Sequence, residues 1–161
     1  MNVTLKVLKR LCAELRGEER IMQSRITPKK IRRLHEKGLC YFLRDDTDTK
    51  VIGFGALWPT KREGWYELGT MWVSKNYRCR GRGWKVFEKT SELAPSDSVL
   101  FLITRSMKVV HMANFYKWEE APLWQDSTQW KKVCEPWDQK SCEASRVLPK
   151  EGRLFYSMTL D

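Results

Sequence analysis

Apolar positions along this chain switch between helical spacing and simple alternation, and the changeovers mark out its elements. Leu5, Leu8, Leu11, Cys12 and Leu15 fall on one helical face ahead of Gly17, which predicts a first helix, although Val3, Leu5 and Val7 also alternate as a short strand would. Thr27-Pro28 sets a capping residue before a proline at the first helical position. Ile31, Leu34 and His35 then give residues 28–37 a buried face, and Gly38 closes the helix. Residues 39–44 and 51–58 read as strands around the turn Asp45-Asp46-Thr47-Asp48-Thr49, and residues 59–64 lead into a third strand at 65–73, completing a meander. Extended backbone there sets Glu67, Gly69, Met71 and Val73 in a row on one face. Val86, Phe87, Thr90, Leu93 and Ala94 return to helical spacing until Pro95 ends the helix. Residues 99–104 form an apolar run short enough for a buried strand beside 65–73, residues 107–118 read as a helix, and 154–160 alternate as a final strand.

The stretch from 65 to 94 carries the candidate chemistry, because strand, loop and helix follow without a break. The loop Arg78-Cys79-Arg80-Gly81-Arg82-Gly83 brings glycines to a strand-to-helix turn, where the backbone can approach a ligand, and the first helical amides have no internal partners. An anion is the natural ligand for such a turn, and three arginines add to its attraction. Glycines of this kind serve most often only a turn, so the flanking elements and charges are what make a phosphate cradle the better reading.

At these residues the chain resembles the GNAT superfamily of N-acetyltransferases, whose acetyl-CoA loop reads Arg/Gln-x-x-Gly-x-Gly/Ala; Arg78, Gly81 and Gly83 match it. The resemblance implies an α+β sandwich: a mixed, mostly antiparallel sheet of about six strands with flanking helices, its central strands splayed where the pantetheine arm enters. A helical start means that the family's usual first strand is missing or short. The resemblance further implies acetyl-CoA as co-substrate, held by Met71, Trp72, Val73, Arg78, Cys79, Arg80, Gly81, Arg82, Gly83 and Trp84, with no metal. Glu67 stands where the family often carries a general base, and Phe115-Tyr116 resembles its aromatic-Tyr pair, whose tyrosine is often the general acid. Two family features are absent: Val109 takes the place of an asparagine, and Glu120-Ala121 that of a glycine-aromatic pair.

Composition narrows the remaining classes. One domain spanning residues 1–161 is expected, since 161 residues can bury a real core and no composition shift argues for two. No apolar run approaches the ~20 residues needed to cross a bilayer, and the N-terminal stretch is broken by charges, so a soluble, cytoplasmic protein is expected. Five cysteines, Cys12, Cys40, Cys79, Cys134 and Cys142, lack Cys-x-x-Cys pairing and read as buried or idle thiols. Cys134 and Cys142, flanking a polar segment, are the pair that could meet. A formal charge of +10 predicts attraction to anions without choosing among nucleic acid, a membrane surface and a polyphosphate cofactor. Eight tryptophans among basic residues could stack on bases, but core and cleft walls account for them better. Residues 122–152 are polar, irregular and dotted with Trp124, Trp130 and Trp137, and residues 124–152 read as one more strand and a long loop shaping an acceptor pocket.

The function this supports is transfer of an acetyl group from acetyl-CoA to a primary amine by direct attack, with Glu67 as base, Tyr116 as acid and a backbone amide near Met71–Val73 polarising the carbonyl. The plainer accounts are an ion-paired strand carboxylate for Glu67, simple packing for Tyr116, a packed or solvated side chain for His111, and a solvated face for the basic 28–37 helix. Expected partners are a small-molecule or peptide amine, with neither membrane nor nucleic acid, and a homodimer is compatible with the sequence. Two alternatives stand: a basic nucleic-acid-binding module, and a catalytically silent acetyl-CoA-binding protein of the same fold.

Overall fold

In a computed structural model, which describes residues 3–18, 25–60, 62–104, 106–120 and 153–158, two helices precede the first described strand. Both begin on a threonine. The Thr4 hydroxyl accepts from the Val7 amide at 3.4 Å and the Thr27 hydroxyl from the Lys30 amide at 3.2 Å, each satisfying a donor that the first helical turn leaves without a carbonyl. Helix α1 (Leu5–Arg16) buries Leu8, Leu11, Cys12 and Leu15, and α2 (Pro28–Glu36) buries Ile31 and Leu34. Gly38, at φ 69°, stops α2: its amide donates to the His35 carbonyl and the Leu39 amide to that of Leu34, a left-handed turn that glycine adopts without strain.

The chain divides into two compact units, Met1–Leu57 with Leu68–Leu93, and Trp58–Glu67 with Ala94–Asp161. In the first, strands run in the order β1 (Cys40–Arg44), β2 (Val51–Pro59) and β3 (Trp65–Val73). β1 and β2 are antiparallel, with Cys40 opposite Ala56 and Leu43 opposite Gly53. The Asp45 carboxylate closes their turn by accepting from the Thr49 and Lys50 amides at 2.9 and 3.1 Å. Phe42 and Phe54, buried with centroids 5.3 Å apart, and Leu8, Leu15 and Ile31 form the core; each such side chain contributes about 1.5–3 kcal/mol relative to exposure.

Helix α3 (Arg82–Ser91) packs on these strands through Val86, Phe87 and Thr90, and two glycines of β2 make the approach possible. A Cβ on Gly55 would stand 2.2 Å from Thr90 Oγ1, and one on Gly53 3.0 Å from Leu43 Cβ and Val86 Cγ2. Gly55→Ala is therefore expected to destabilise by about 1–3 kcal/mol through overpacking, measured as a lower urea midpoint. Adding Thr90→Ala, which removes the clashing hydroxyl, should recover part of that loss. An unchanged midpoint in Gly55→Ala would show that α3 lifts off the strand at no cost.

In the second unit the order is β3, β4 (Val99–Thr104), β6 (Arg153–Met158), β5 (Glu119–Glu120). β4 runs parallel to β3, pairing Trp65 with Val99 and Glu67 with Phe101, and antiparallel to β6, from Val99 opposite Met158 to Thr104 opposite Arg153. Helix α4 (Met107–Phe115) buries Val110 and Ala113. The architecture is thus α+β, with a mixed sheet and four helices among the described residues.

Two helices end earlier than their sequence patterns predict. α3 stops at Ser91 rather than Ala94, with the Leu93 amide donating back to Thr90. α4 stops at Phe115 rather than Trp118, because Lys117 takes φ 58° and the Lys117 and Trp118 amides donate to Asn114 and Ala113, which reverses the chain and buries Trp118. The readings for 122–152, for Trp124, Trp130 and Trp137, and for Cys134 and Cys142 lie outside the described residues.

Candidate active site

Glu67 lies at the point where β3 pairs with β4, opposite Phe101, and is 8% exposed, so the strand holds a carboxylate almost out of water. Three residues on, Thr70 has φ 55°. A β-branched residue in the left-handed region is a strained one, and within a strand it interrupts the two-residue alternation as a bulge does. The expected single row of Glu67, Gly69, Met71 and Val73 is therefore broken between Gly69 and Met71. Met71 and Val73 pack against Leu43, Ile52 and Val86, and Trp72 is buried.

Beyond β3 a single 3-10 turn, Lys75–Tyr77, leads into the loop. Cys79 has φ 74° and Gly81 φ 69°, left-handed positions on either side of Arg80, an alternation of the kind that builds anion-binding nests. Gly81 caps α3 with no side-chain hydrogen bond, and the first helical bond runs from the Lys85 amide to the Gly81 carbonyl at 3.0 Å. The amides of Arg82 and Gly83 precede that bond, at the positive end of the helix dipole. From Leu68 to Phe87 the chain carries Lys75, Arg78, Arg80, Arg82 and Lys85 and no carboxylate. The loop is thus a cationic turn at a helix N-terminus, the kind of place where an anion is favoured.

The three loop arginines are not equivalent. Arg78 Nε donates to the Val73 carbonyl at 2.9 Å and Nη2 to Glu18 Oε1 at 2.7 Å. Arg82 donates to the Tyr77 carbonyl at 3.4 Å, its guanidinium 5.5 Å from the Tyr77 ring centroid. Arg80 is exposed and makes no ion pair with a described residue. Neither Glu18 nor Thr70 stands out in the sequence: one partner is sixty residues from the loop, and threonine is an ordinary strand residue.

Tyr116 is half-buried at the C-terminal cap of α4, its ring edge-on to Phe115 with centroids 5.3 Å apart; Phe115 itself is 67% exposed. His111 is exposed on the same helix. Cys12 and Cys40 are buried, and burial pushes both thiols up, Cys40 to about 12, so neither supplies a thiolate near neutrality. Cys79 is exposed in the loop. Among the described residues no group of His, Cys, Asp or Glu is placed to hold a metal ion, and no helix is long and apolar enough to cross a membrane.

Comparison with known proteins bears on the family and the fold. The model of the acetyltransferase (GNAT) family matches residues 8–119. No curated protein matches the sequence. Among solved structures, the Mycobacterium tuberculosis protein Rv2747 in complex with CoA is similar at 13% identity and TM-score 0.69, over 99% of this chain and 98% of that one. A phosphinothricin acetyltransferase from Sinorhizobium meliloti in complex with AcCoA is similar at 11% identity and TM-score 0.60, covering 76% and 75%. A ribosomal-protein-alanine N-acetyltransferase from Brucella melitensis is similar at 14% identity and TM-score 0.60, covering 100% and 98%. At such identities the likeness is one of fold.

Proposed function

Because this chain belongs to the acetyltransferase (GNAT) family, we propose that it moves the acetyl group of acetyl-CoA onto a primary amine by direct attack, residues 1–161 acting as one domain. The observation that carries the reading is the loop: left-handed Cys79 and Gly81, the first amides of α3 and five cations uninterrupted by a carboxylate. These would hold the diphosphate through Cys79, Arg80, Gly81, Arg82, Gly83 and Trp84, with the backbone of Met71, Trp72 and Val73 serving the pantetheine arm. Arg78 belongs to the same loop.

The chemistry then assigns itself by what each group can exchange. An amine is protonated near pH 7 and must lose a proton before its nitrogen can attack the thioester carbon. Glu67 takes that proton, through a water. Charge grows on the carbonyl oxygen as the carbon–nitrogen bond forms, and an amide of the strand segment Met71–Val73 stabilises it. When the carbon–sulfur bond breaks, Tyr116 gives its proton to the departing thiolate. Burial and a raised thiol pKa leave Cys12 and Cys40 poor nucleophiles for an acyl-cysteine route.

Thermal unfolding tests the cofactor assignment against its runner-up, a basic nucleic-acid-binding module. Acetyl-CoA at a hundredfold its Kd should stabilise the fold by about 2.7 kcal/mol, a rise of roughly 5–10 °C in Tm for a domain of this size, and RNA or DNA should raise it less. Stabilisation by nucleic acid at physiological salt, with none from millimolar acetyl-CoA, would replace the enzyme reading with the binding module.

A further inference from the structure

We infer that Glu18 is a positioning residue for the cofactor loop, holding Arg78 as a strut instead of leaving it to bind phosphate; this rests on the reading of that loop as the acetyl-CoA site. Arg78 is the first residue after the 3-10 turn, extended at φ −69° and ψ 164°, and the next residue, Cys79, begins the left-handed nest. Its guanidinium is committed in two directions. One bond reaches back across the turn to the last residue of β3, Val73, at 2.9 Å; the other reaches Glu18 at 2.7 Å. Glu18 is itself fixed at the end of α1, with its amide donating to the Leu15 carbonyl at 3.2 Å. The loop entrance is thereby tied to a strand end and a helix end.

The two roles for Arg78 predict opposite results at Glu18. If Arg78 binds phosphate directly, Glu18 competes for it, and removing the carboxylate frees a cation for the ligand. If Arg78 is a strut, removing the carboxylate loosens the entrance to the nest, and the ligand loses amides that no longer converge. The pair is partly exposed, at 44% for Arg78 and 25% for Glu18, so the effect is bounded by the modest strength of exposed ion pairs. Phosphate attraction on this account falls to Arg80, which points into solvent from the middle of the nest.

Calorimetric titration of CoA into wild type, Glu18→Gln, Glu18→Asp, Arg78→Gln and the Glu18→Gln/Arg78→Gln double variant separates the two, with pantetheine competition as a second readout. Glu18→Gln should weaken CoA roughly three- to fivefold, Glu18→Asp less, and the double variant should be no worse than Arg78→Gln alone, since both single changes break one strut. Pantetheine, which lacks the diphosphate, should bind all five alike. Equal or tighter CoA binding by Glu18→Gln overturns the inference, and so does an equal loss for CoA and pantetheine, which would mark general damage to the fold. Wild-type protein that binds neither ligand overturns the cofactor reading itself, and this inference with it.

Discussion

Glu67→Gln is expected to lower turnover at pH 7 by about a hundredfold or more, the range for a positioned general base, while acetyl-CoA affinity stays at the wild-type value. The substitution keeps the shape of a side chain that is only 8% exposed and removes its capacity to take a proton, so packing and catalysis are separated as cleanly as one atom allows. The rate should recover in part as pH rises, because below the amine's own pKa each unit makes about tenfold more free amine, which needs no base. Tyr116→Phe should also slow turnover, without that recovery, since its duty is to hold a proton until the thiolate leaves. The assay is release of free CoA across a panel of amines. Wild-type turnover in Glu67→Gln at pH 7 would exclude it as the base and leave positioning of an already deprotonated amine. Absence of turnover by wild type with every amine, alongside firm acetyl-CoA binding, would favour the silent-binder alternative.

The strands and the loop were legible because their signals are local. β3 and β4 occupy the bounds expected from apolar alternation and an apolar run, and α2 stops at a glycine that any reader would mark. Where the chain adopts glycine-like geometry without glycine, the pattern misleads. Lys117 in the left-handed region ends α4 three residues early, and Thr70 breaks the face of β3 in the middle of a good strand sequence. Local preference favoured the ordinary conformation at both places, and packing overrode it: Trp118 is buried by the reversal at Lys117. The bonding of Arg78 was hidden for another reason. Its type and position match a phosphate-binding motif, whereas its bonds go to Val73 and to Glu18, sixty residues away. Periodicity carries no information about a pairing across that distance.

Gly81 offers the sharpest test of the cradle, because its geometry separates two reasons for a glycine. At φ 69° a β-branched residue is strained, and a Cβ built there meets no atom of the protein within 4 Å. The cost of replacing it therefore lies in the backbone, about 1–2 kcal/mol for a non-glycine residue in left-handed conformation, or in the ligand that approaches it. Gly81→Val should weaken CoA about tenfold or more, as either cause predicts and both together exceed. Gly81→Asn decides between them, since asparagine tolerates the left-handed region but still carries a side chain. Near-wild-type binding by the asparagine variant would assign the glycine to conformation. A loss as large as valine's would assign it to close approach of the diphosphate. Circular dichroism on both variants checks that α3, which Gly81 caps, remains formed. Undiminished CoA affinity in Gly81→Val would remove the loop from the binding site, and the search for the diphosphate would pass to the other cationic surfaces of the chain, first among them the exposed lysines and arginines of α2.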